Sequence, residues 1–156
     1  MPCALCYIRA VPPEYYASAG QSESQAQRPV RVLVIDDEPD TVVSLVTLLR
    51  SEGYEAKGAN SGETAMRDLD SFDPDAVIVD IAMPGMTGWD VAREIRKMRG
   101  RRLTRPTLIA VSGTYVKKPD EMLARAAGFN YFLVKPCDPN FLFNILAAIV
   151  PGSAQS

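Results

Sequence analysis

Residues 30–40 read VRVLVIDDEPD, an apolar run of β-branched type that passes directly into three consecutive acids. A run of this kind without polar alternation is expected of a strand buried on both faces, as strands of parallel sheets are. The acids then stand at the carboxyl end of that strand.

Working outward, four more strands are expected at 54–58, 76–79, 107–112 and 131–134. Three of them are again apolar without alternation. The second, YEAKG, alternates, which suits a sheet edge. Between the strands, Val42, Leu45, Val46 and Leu49 fall at helical spacing, as do Leu142, Ile145, Leu146 and Ile149, so both sets read as core faces. Val91, Ile95 and Met98 mark a third helix, Ala65 and Leu69 a shorter second one, and residues 119–127 a fourth. Asn60 with Glu63 has the form of a capping box, and Gly53, Gly100 and Gly128 stand where helices should end.

The resulting order is βαβαβαβαβα, which implies parallel strands, right-handed crossovers and a doubly wound, five-stranded α/β sandwich of three layers. Ligands of such open sheets bind beyond the carboxyl ends of the strands, at the topological switch point. The residues there are Asp36, Asp37 and Glu38 after the first strand, Asp80 after the third, Ser112 after the fourth and Lys135 after the fifth. Carboxylates gathered in one crevice repel each other unless a cation neutralises them, and hard oxygen ligands favour Mg²⁺. Lys135 reads either as a structural ion-pair partner or as a second positive charge for a phosphoryl group.

The chain has 156 residues, 47% of them hydrophobic, enough for one core. The expected organisation is a disordered leader over 1–29, one domain over 30–150 and a short tail over 151–156. A net charge of −2 offers no general attraction to nucleic acid or an anionic membrane. No apolar run approaches the roughly 20 residues of a membrane helix. The amino terminus lacks the form of a signal peptide, so a cytoplasmic location is expected. With no histidine in the chain, imidazole-based nucleophile arrangements and metal sites are excluded. Cys3 and Cys6 form a CxxC, but zinc needs about four ligands and no second pair exists; they read as incidental thiols.

The segments VLVIDDEPD, VIVDIAMPGMTGWDVAREIR, LIAVSG and FLVKP, in this order and spacing, resemble the receiver domains of response regulators over residues 30–150. The resemblance implies a flavodoxin-like fold and a signalling phosphoacceptor, not an enzyme acting on small substrates. It implies that Asp80 accepts phosphate. It also implies that Asp36 and Asp37, with Asp80 and the backbone carbonyl of Ala82, hold Mg²⁺, that Lys135 pairs with a phosphoryl oxygen, and that Ser112 donates its hydroxyl to another. Phe132, three residues before Lys135, matches the aromatic that members turn inward on activation; an ordinary core aromatic is its other reading. The implied donor is a sensor histidine kinase or histidine phosphotransfer protein, and the implied reader is a downstream protein. The Lys135–Pro136 bond is expected to be cis, and Pro84, Gly85 and Gly88 to form a tight loop over the site.

Cys137 and Ser112 depart from the commonest residues at their positions without removing a needed group, while Ala82 and Thr114 stand where members tune hydrolysis. Seven basic residues, Arg93, Arg96, Lys97, Arg99, Arg101, Arg102 and Arg105, read as a solvated helix end and loop, with an acidic docking patch as the alternative. A hydrolase of haloacid-dehalogenase type would need a second acid where Ala82 stands. No P-loop or GxGxxG follows any strand. Only PGSAQS follows Val150, so a stand-alone switch or relay intermediate acting through another chain is expected.

Overall fold

A computed structural model describes residues 28–98, 105–113 and 118–152. The elements alternate as expected: β1 (Arg31–Ile35), α1 (Pro39–Ser51), β2 (Glu55–Ala59), α2 (Gly62–Phe72), β3 (Ala76–Asp80), α3 (Gly88–Lys97), β4 (Thr107–Ser112), α4 (Lys118–Ala127), β5 (Tyr131–Val134) and α5 (Pro139–Ala147). The strands form one sheet in the order β2-β1-β3-β4-β5, every pair parallel. The alternating strand β2 lies at the edge, where only one neighbour must be matched. Residues 1–27 of the leader, with the CxxC thiols, lie outside the described residues, as do Thr114, Gly100, Arg99, Arg101 and Arg102. The end of the expected leader is not disordered, for Arg28 is paired with the buried Asp75.

Apart from β2, the strands are mainly apolar because successive side chains feed opposite layers. Val32, Val34, Ala76, Ile78, Ile109 and Leu133 join α1 and α5 in one core. Leu33, Ile35, Val77, Val79, Leu108 and Ala110 join α2, α3 and α4 in the other. The α5 stripe is wholly buried. The α1 stripe is not, for Val42, Val46 and Leu49 are buried while Leu45 stays half-buried at the helix margin.

Two local expectations change. The cap of α2 is Ser61, not Asn60, and its hydroxyl accepts a bond from the Thr64 amide at 3.1 Å. The full capping box lies instead at α3, where Thr87 and Asp90 bond each other's backbone amides. Bonds from the Thr87 hydroxyl, Arg93 and the Thr87 amide hold the Asp90 carboxyl down at about 2. Gly53 and Gly128 do end helices, at φ +88° and +103°.

The basic run is not simply a solvated end. Arg96 donates to the Gly128 carbonyl at 2.7 and 2.9 Å, to the Pro106 carbonyl at 3.1 Å and to Asn130 Oδ1 at 2.9 Å. Asn130 Oδ1 also accepts the Leu108 amide, so one guanidinium ties α3, β4 and the turn before β5 together. Arg93 and Lys97 pair with Asp90 and Glu94 on their own helix. No described helix is long and apolar enough to cross a membrane.

Candidate functional site

The sheet reverses its direction of growth between β1 and β3. The crevice there is bordered by the residues that leave those two strands. Asp36 and Asp80 are buried, Asp37 is exposed, and one carboxylate oxygen from each lies within 4.8 Å of the others. Asp36 is steadied by its own turn, its Oδ1 accepting the Glu38 amide at 2.9 Å. Its other oxygen accepts a bond from Lys135 Nζ at 2.9 Å, across 99 residues of sequence. The same ammonium stands 3.8 Å from Asp80 Oδ1.

The charges shift one another. Burial pushes the Asp80 carboxyl above its ordinary range; Lys135 and the Ala82 amide pull it back, and Asp36 and Asp37 push it further up. Burial alone would lower the Lys135 ammonium, but its bond to Asp36 and the charges of Asp36, Asp80 and Asp37 hold it above its usual value. Three carboxylates against one ammonium leave a crevice short of positive charge. An all-oxygen donor set of this kind fits a hard divalent cation.

Ser112 ends β4 beside Asp80, 6% exposed, and its carbonyl accepts the Lys135 amide at 2.8 Å, which ties the two strand ends together. Ala82 is exposed beyond Asp80. The Lys135–Pro136 bond is cis, as the resemblance implied. The loop after Asp80 returns so that the Gly88 amide donates to the Ile81 carbonyl at 3.1 Å. A Cβ on Gly88 would meet the Asp80 carbonyl oxygen at 2.6 Å, so the close return requires glycine here. Gly85, at φ +74°, turns the same loop.

Phe132 is half-buried and stacks on Trp89 with ring centroids 6.5 Å apart, while Phe129 meets the indole edge-on at 5.8 Å. The sequence reading overlooked Trp89. Its position two residues after a capping threonine and two before the buried Val91 was the available signal. Asp75 was overlooked as well. Its buried carboxylate at the opposite end of β3 accepts both guanidinium arms of Arg28 at 2.7 and 3.0 Å, the Arg31 amide at 2.8 Å and the Gly152 amide at 2.9 Å. These bonds outweigh burial and hold its pKa low.

An open parallel sheet with an acid cluster at its switch point and a lysine at the end of β5 defines a protein of the doubly wound α/β class. Residues 32–147 match the response regulator receiver domain, and the chain belongs to that family. Among its relatives is the CAI-1 autoinducer sensor kinase/phosphatase CqsS of Vibrio cholerae, 34% identical over 120 residues, which are 77% of this chain and 17% of that protein. Protein PilH of Pseudomonas aeruginosa is 27% identical over 122 residues, 78% of this chain and 98% of PilH. The chain therefore corresponds to a small part of the first and almost all of the second. The fold is that of the Vibrio cholerae chemotaxis protein CheY4, with a TM-score of 0.70 over 78% of this chain and 99% of that one at 24% identity.

Proposed function

We propose that the chain is the phosphorylated switch of a two-component or relay pathway, with Asp80 as the phosphoacceptor. The observation that carries this reading is the placement of Asp36, Asp37 and Asp80 within 4.8 Å of one another, with Lys135 between two of them. In the proposed reaction an Asp80 oxygen attacks the phosphorus of a phosphohistidine on a sensor histidine kinase or histidine phosphotransfer protein. The Asp80 O–P bond forms as the P–N bond breaks, and the imidazole leaves with the electron pair.

Asp36, Asp37, Asp80 and the Ala82 carbonyl would hold Mg²⁺, which offsets charge on the phosphoryl oxygens. Lys135 supplies the second positive charge and stays paired with the product. Ser112 donates its hydroxyl to a phosphoryl oxygen. The added charge, close to two units, draws Ser112 and Lys135 toward Asp80 and shifts Phe132 and the α4-β5-α5 surface, which a downstream protein reads. Met122 of α4 and Val134 of β5 are exposed apolar residues of these elements. The absence of a second acid at Ala82 supports a switch rather than a hydrolase.

Intact-protein mass spectrometry after incubation with Mg²⁺ and acetyl phosphate tests the reading. The wild type is expected to gain one phosphoryl group and Asp80→Asn none. Equal labelling of the two would overturn the assignment.

A further inference from the structure

Between α1 and α5 the sheet carries a groove of about 760 Å³, walled by Leu45, Leu48, Leu133, Cys137 and Leu142 and reaching Asp40 and Lys135 at its upper end. Neither helix closes it, and Leu45 is left half-buried on its wall. The described chain enters the fold directly below. Arg28 is held on Asp75, the same carboxylate that holds Gly152 just past α5, and Val30 packs into the core that Leu45 and Cys137 border. The described chain therefore begins at the foot of α5.

We propose that residues 3–11, CALCYIRAV, seat in the α1–α5 groove of their own chain. Eight of these nine residues are apolar, an unusual content for a segment followed by EYYASAGQSESQAQ. Burying such a stretch in an apolar groove is favourable in proportion to the area removed from water. Arg9, the one charge in the stretch, has exposed Asp40 as a counterpart at the groove mouth.

The tether is of suitable length. The sixteen residues 12–27 have a typical end-to-end distance of about 22 Å, against about 14 Å for the nine-residue α5 beside which they must climb. A tether matched to its span gives an effective concentration in the millimolar range, so weak intrinsic affinity suffices for high occupancy. The seating does not rest on the proposed function.

Cys137 reports on the groove. In the full chain with Cys3→Ser and Cys6→Ser it is the only remaining thiol. Its reaction rate with dithionitrobenzoate is expected to rise about tenfold when Leu5→Asp and Ile8→Asp are added, with no dependence on protein concentration. Circular dichroism should show both proteins equally folded. Equal rates would overturn the proposal, and so would protection that grows with protein concentration, which would assign the groove to a second copy of the chain. Acetyl phosphate is small enough to bypass the segment. A failure of both proteins to be phosphorylated by it would therefore count against the Asp80 reading and leave the seating intact.

Discussion

Lys135 is bonded to Asp36 at 2.9 Å and stands 3.8 Å from Asp80, so its ammonium rests on the acid of β1 rather than on the proposed acceptor of β3. A short displacement toward Asp80 would carry it onto a phosphoryl oxygen. Lys135→Ala should slow labelling by acetyl phosphate about a hundredfold, because one preorganised charge is removed where charge spreads. An unchanged rate in phosphate-incorporation kinetics would remove Lys135 from the reaction.

Asp37 is the exposed member of the acid cluster. Asp37→Ala should weaken Mg²⁺ binding about tenfold or more while leaving the metal-free protein at least as stable, since a ligand and a source of repulsion disappear together. Calorimetric titration with Mg²⁺ and thermal melting without it measure the two effects. Wild-type affinity in the variant would place the cation elsewhere.

Trp89 is the only tryptophan of the chain and stacks on Phe132, so its fluorescence reports on movement of that ring. Beryllofluoride, a phosphoryl mimic, should change the emission of the wild type. Ser112→Ala should keep phosphorylation but show a smaller change, because a neutral hydroxyl contributes only about 0.5–1.5 kcal/mol. The full wild-type response in the variant would end the switch role of Ser112.

Asp75 has a lowered carboxyl pKa, the bonds from Arg28, Arg31 and Gly152 outweighing the cost of burial. A carboxylate of this kind adds stability above its unfolded pKa, and the contribution is lost as pH falls through its folded pKa. Asp75→Asn should therefore destabilise the fold near neutral pH by about 1–3 kcal/mol. The deficit should shrink on acidification below about pH 4, where the unfolded-state carboxyl takes up its proton. Urea melts at pH 7 and pH 3 compare the two, and a deficit independent of pH would exclude the charge as its source.

The alternation of strands and helices was legible because burial on both faces forces unbroken apolar runs, and helices covering them show a 3.6-residue stripe. Asp36, Asp80, Ser112 and Lys135 could be placed in one crevice from the sequence because a parallel sheet sends every strand's carboxyl end to the same side. Ser61 replacing Asn60 as cap was not legible, since both side chains can cap and the choice depends on where β2 releases the backbone. The role of Arg96 was hidden for a similar reason: its partners, at Pro106, Gly128 and Asn130, are brought to it only by the packing of α3 beside β4 and β5.

Local pattern and strand polarity by themselves determined the sheet, its layers and the strand ends that face the switch point. Which partner each side chain there holds was decided by tertiary structure alone: Lys135 on Asp36, Trp89 on Phe132, Arg28 and Gly152 on Asp75. The physical reason is range. Apolar periodicity is set by neighbours a few residues apart, whereas a hydrogen bond between groups 47 or 99 residues apart forms only when the packing of whole helices brings them within about 3 Å.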